Sequence, residues 1–141
     1  MSETFTERMN GQFWGILQWS QLDDLWARIK AEPTGWYASL VGEAPPETPL
    51  SAEALAHLIT EADGLLRREH EFDYCGIVYA DDSTQPTLVK IYDPNNLGNS
   101  CGSCGHKIPP RWVLSRMKPE RIEDDAPLPG SRRRWWQALF N

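Results

Sequence analysis

Leu55, Leu58, Ile59, Ala62, Leu65 and Leu66 recur at intervals of three and four behind Ser51, a residue type that caps helix N-termini. That period puts all six on one face and predicts an amphipathic helix from Ser51 to Glu69 or His70. Leu22, Leu25, Trp26 and Ile29 predict a second helix. Ser20 is its expected N-cap, Asp23 and Asp24 favour its first turn, and Pro33 and Gly35 stop it. Upstream, Phe13, Trp14, Ile16, Leu17 and Trp19 form a dense apolar cluster, read as a short helix or a docking segment.

Four stretches have strand character. Gly35–Val41 is the first. Tyr74–Ala80 and Thr87–Tyr92 follow, joined as a hairpin through Asp81–Pro86, and Lys90 is expected to face solvent with Val89 and Ile91 buried. Arg111–Met117 is the fourth. Residues 1–11 are expected to fray, residues 119–130 read as a Pro-rich linker, and residues 131–140 as a short C-terminal helix. Mostly hairpin-connected strands with few helices predict one α+β domain over residues 1–141. The expected architecture is a two-layer sandwich, a mostly antiparallel sheet of about four strands with helices on one face.

Composition changes this picture little, and charge changes it more. The 141 residues carry a formal charge of −6. Residues 1–100 hold six basic and sixteen acidic side chains, whereas residues 101–141 hold eight basic and four acidic ones. An acidic body of that size repels nucleic acid, so no nucleic-acid partner is expected. No apolar run reaches the ~18–20 residues of a membrane span. The polar, acidic start lacks the basic and apolar regions of a signal peptide, which predicts a cytoplasmic location and reduced thiols.

The three cysteines are Cys75, Cys101 and Cys104, an odd number that argues against a disulfide framework. Two of them sit in Cys101-Gly102-Ser103-Cys104-Gly105-His106, inside the long irregular stretch from Asp93 to Pro110. Three readings stand side by side. Two thiolates at this spacing can hold zinc, and Cys101–Gly105 locally resembles the knuckle of a zinc ribbon. With no second knuckle, the remaining ligands would be Cys75 and either His106 or His70, or the same pair from a second chain in a homodimer. Cys-Gly-Ser-Cys is also similar to the active-site tetrapeptide of thioredoxin-like oxidoreductases, which makes Cys101 and Cys104 redox candidates. The activating helix is not expected here, because Gly105 and Pro109-Pro110 follow. The third reading is two free cysteines in a glycine-rich turn. Cys75, in a strand, reads as core packing first and metal ligand second.

Other clusters are weaker. Glu53, His57 and Glu61 share the polar side of the long helix and read as a solvated face. Asp81, Asp82 and Asp93 flank the hairpin without the spacing of a calcium loop, and turn propensity explains them. No nucleophile elbow, P-loop or dinucleotide fingerprint is present, and no reaction is visible.

The C-terminal segment is more informative. Arg132, Arg133, Arg134, Trp135, Trp136, Leu139 and Phe140 would form an amphipathic helix too short to stand alone. Its expected seat is the acidic body of the same domain, and a protein partner is the next choice, since Trp and Arg dominate binding hot spots. The sequence therefore points to a small cytosolic protein-interaction domain. Its surface would combine Trp112, the 132–140 segment and the Cys101–His106 loop, with zinc as a candidate cofactor. A dithiol redox protein or sensor acting through Cys101 and Cys104 is the alternative.

Overall fold

The computed structural model describes residues 4–41, 43–70, 75–82, 84–94, 110–120 and 130–139. The long apolar stripe forms helix α3, Ala52–Glu69, and Ser51 Oγ accepts from Ala54 N at 3.1 Å as its N-cap. Helix α2 spans Trp19–Ala31 and begins before Ser20. Gln21 reaches back to do the capping: its Oε1 accepts from the backbone N of Leu17 at 3.1 Å and of Gln18 at 3.0 Å.

Among the described residues the sheet has five strands rather than about four: β1 Trp14–Ile16, β2 Tyr37–Leu40, β3 Val78–Ala80, β4 Leu88–Ile91 and β5 Trp112–Ser115. The additional strand is the apolar cluster expected to be a short helix. Trp14, Gly15 and Ile16 instead pair antiparallel with Ala80, Tyr79 and Val78. Three residues are too few for a recognisable period, so a neighbouring strand, not local preference, settles their conformation. All pairings are antiparallel, in the order β1-β3-β4-β5-β2. Strands β3, β4 and β5 form a meander, α2 connects the two edge strands, and α3 returns the chain to β3.

Two buried clusters hold the layers together. The larger joins Val78, Ala80, Val89, Ile91, Trp112 and Leu114 to the apolar stripes of α2 and α3. The smaller joins Leu88, Val113 and Val41 to Phe5. Val113 lies between Trp112 and Leu114, so the clusters take alternate residues of β5, as the pleat of a strand requires. Phe5 belongs to helix α1, Phe5–Met9, which lies within the stretch expected to fray and carries a capping box between Thr4 and Glu7. Its seating also accounts for Lys90, which is half-buried rather than solvent-facing. The ammonium donates to Met9 O at 2.7 Å and stands 3.9 Å from the centre of the Phe13 ring. Helix α4, Gly130–Leu139, closes the described chain.

Candidate functional site

Strand β4 ends at Ile91, and the chain returns to the sheet at Arg111, just before β5. Backbone bonds fix this return: Arg111 N donates to Ile91 O and Val41 N donates to Arg111 O, both at 2.9 Å. The side chains at the two ends of the connection meet as well. Arg111 Nε donates to Asp93 Oδ2 at 3.2 Å, with both side chains 3% exposed.

Arg132, from the first turns of α4, reaches the same carboxylate. Its Nε donates to Asp93 Oδ2 at 3.0 Å and an η nitrogen donates to Oδ1 at 2.9 Å. The guanidinium also engages Glu69, the last residue of α3, at 2.9 and 3.2 Å. Burial draws the Arg132 pKa down, but hydrogen bonds to Asp93 and Glu69 outweigh it and hold the group above its ordinary range. Among the described residues, two arginines and two carboxylates meet in this knot, and their mutual attraction offsets the desolvation cost of burying them. Arginine does not deprotonate in proteins, so the knot fixes geometry and moves no proton.

Trp112 lies beneath this network and is buried. Its ring centre is 5.3 Å from that of Trp135, and the Arg132 guanidinium carbon is 5.8 Å from it. Its indole N–H has no hydrogen-bond partner among the described residues. Trp135, Trp136 and Leu139 are half-buried against the main core. The aromatic stripe predicted for the C-terminal helix is thus turned largely onto its own domain. Arg133 is exposed and donates to Glu43 at 2.7 Å, while Arg134 is exposed. The structure therefore gathers Trp112, Arg132 and Trp135, and leaves Arg134 facing solvent. Phe140 lies outside the described residues.

Cys101, Cys104 and His106 also lie outside the described residues. Cys75 is a free cysteine within the larger core, and desolvation pushes its thiol pKa up despite backbone N–H groups that favour the thiolate. His70 is buried beside it, with Nε2 2.8 Å from Cys75 O. Among the described residues, no group of three or more His, Cys, Asp or Glu side chains is placed to hold a metal ion. Glu53, His57 and Glu61 are exposed along α3.

Sequence marks Trp112, Arg132 and Trp135 as candidates here, whereas Glu69 and Arg111 carry no motif and Asp93 stands with Asp81 and Asp82. Asp81 accepts from Thr87 N at 2.8 Å, Leu88 N at 3.0 Å and Arg8 at 3.2 Å, and Asp82 accepts from Thr84 N at 2.8 Å. Both serve the turn, as expected. Asp93, grouped with them by sequence proximity, belongs to the ion knot instead. Its partners stand 18 and 39 positions away, and no periodicity connects such separations. The one available signal was the pair of charges, Asp93 and Arg111, flanking an irregular stretch. Comparisons with protein-family models, with curated proteins and with solved structures found no match.

Proposed function

We propose that this chain is a small cytosolic protein-interaction domain. Its binding surface is the outer side of α4 together with the Cys101–His106 loop. One observation carries the reading: the Asp93 carboxylate joins both ends of the connection that contains the loop and ties them to α4. Binding loops work when a rigid scaffold presents them, and a buried network of paired charges anchors the ends of this connection. Arg134 supplies exposed positive charge beside it. Trp135 and Trp136 keep partly exposed rings of the kind that anchor protein contacts. Zinc held by Cys101 and Cys104 would supply the loop's shape.

The test compares co-purifying partners of the full-length protein with those of Arg134→Glu and of a Cys101→Ser/Cys104→Ser double variant. Metal content and free thiols are counted in the same preparations. Loss of one specific partner from both variants, with thermal stability unchanged, is the expected result. Retention of every partner in both variants, and after removal of residues 131–141, overturns the reading.

A further inference from the structure

Strand β1 ends the sheet. Trp14, Gly15 and Ile16 pair with β3 on one side, and no described strand lies on the other. The opposite edge is covered: Ala38, Ser39 and Leu40 of β2 are buried, and Trp36 O just before it accepts from Leu50 N at 2.8 Å. At β1 the reverse holds. Trp14 is 52% exposed and Leu17 62%, and they are the exposed large hydrophobic side chains among the described residues.

Open edges in natural sheets are protected by charge, proline or a covering element, because unpaired N–H and C=O groups recruit other strands. Here residues 9–22 contain no charged residue and no proline. Among the described residues, the strand itself carries none of this protection. Such an edge is a liability unless a defined partner pairs with it.

We infer that β1 pairs antiparallel with β1 of a second copy of this chain, about a two-fold axis through Gly15, joining two five-stranded sheets into one. The sequence at the edge is its own complement. Centring Trp14-Gly15-Ile16 on Gly15 sets Trp14 opposite Ile16 of the partner subunit, at both ends of the three-residue strand. An aromatic residue facing an aliphatic one across antiparallel strands is a favourable pair, and a two-fold axis makes each pair twice. Gly15 suits the axis, since the space its side chain would take already belongs to Tyr79, whose Cε2 lies 3.1 Å from the Cβ position.

Charge agrees with the same symmetry. A groove of about 330 Å³ runs between β1 and α2, and Asp24 and Arg28 both line it, one helical turn apart. A two-fold axis runs α2 antiparallel to its copy, so the two copies present Asp24 and Arg28 in opposite order. An unrelated extended peptide would not have to satisfy either match. The edge is short, so the interface belongs to the small class whose complexes dissociate readily. The pairing does not depend on the surface proposed for α4.

Sedimentation of the full chain over roughly 1 µM to 1 mM, with reductant and chelator present, tests the pairing. The expected result is a reversible monomer–dimer shift, with amide exchange at Trp14, Gly15 and Ile16 slowing as concentration rises. A Trp14→Lys/Leu17→Lys variant is expected to stay monomeric across the range with an unchanged melting temperature, because both side chains are solvent-exposed. A wild-type chain that remains monomeric throughout overturns the inference. So does a dimer that persists in the double variant, or β1 amides protected only by an added extended peptide.

Discussion

Asp93 and Arg132 stand 39 residues apart in the chain and share two hydrogen bonds of 3.0 and 2.9 Å. This contact decides where the C-terminal helix lies. Helix α4 spans ten residues, too few to hold its shape in water alone, and places three arginines near its N-terminus, where the helix dipole disfavours them. Neutralising Arg132 with Asp93 and Glu69 removes one of those penalties while Trp135, Trp136 and Leu139 cover apolar surface.

Asp93→Ala takes the shared carboxylate from both Arg111 and Arg132. It is expected to cost about 3 kcal/mol or more, the usual result of breaking a buried ion pair from one side. Arg132→Met keeps the Asp93–Arg111 bond and leaves Glu69, 24% exposed, partly solvated. Its expected cost is smaller, about 1–2 kcal/mol. Urea denaturation of both variants checks the order. A larger loss for Arg132→Met would show that α4, rather than the connection after β4, depends most on the knot.

Two glycines should respond to alanine with opposite signs. Gly64 lies inside α3 with open space where a side chain would go, so Gly64→Ala is expected to stabilise by about 1 kcal/mol. Gly35 has φ of +85°, a region that side-chain-bearing residues adopt only with strain, so Gly35→Ala is expected to destabilise by about 1 kcal/mol. Thermal denaturation of the pair reads both. A loss of stability in Gly64→Ala, or a gain in Gly35→Ala, overturns the corresponding prediction.

Burial raises the Cys75 pKa, so the fold favours the protonated thiol. The resulting stability is complete below the ordinary thiol range and is lost as pH rises through the raised value. Unfolding free energy should therefore fall above about pH 9. Cys75→Ala should be less stable at neutral pH but show a shallower alkaline slope. Identical slopes in the two proteins would remove Cys75 as the cause. Tyr92, also raised by desolvation, contributes a common slope at higher pH in both.

Asp81 collects hydrogen bonds from Thr87, Leu88 and Arg8, and so joins the β3–β4 turn to α1. Asp81→Ala leaves two backbone N–H groups without this acceptor and is expected to cost about 2 kcal/mol. Arg8→Ala, which removes the partly exposed ion pair and keeps both backbone N–H bonds to Asp81, should cost less than about 1 kcal/mol. Equal losses would place the stabilisation in the ion pair and not in the turn.

The sequence was most legible where an element carries its own signal. Helix α3 was readable to within a residue, because six apolar side chains share one face and Ser51 marks the start. The start of α2 was not, because Gln21 supplies the capping contact from within the helix and Ser20 does not. Strand β1 was hidden for a different reason. Trp14, Gly15 and Ile16 have no pattern beyond being apolar, and their conformation follows from pairing with Val78–Ala80.

By itself the sequence determined the α+β class, the antiparallel hairpin, the buried stripes of α2 and α3, and the concentration of cysteine, basic and aromatic residues after position 100. Each is local, written in the spacing of neighbouring side chains and in composition. Only the tertiary structure decided that Asp93 belongs with Arg111 and Arg132 rather than with Asp81 and Asp82, that Lys90 is tied to Met9 and Phe13, and that β1 stands at the end of the described sheet. Those outcomes come from residues distant in the chain sharing a desolvated space. There an ion takes whichever counter-charge the fold delivers, and a short strand takes whichever edge is free to pair.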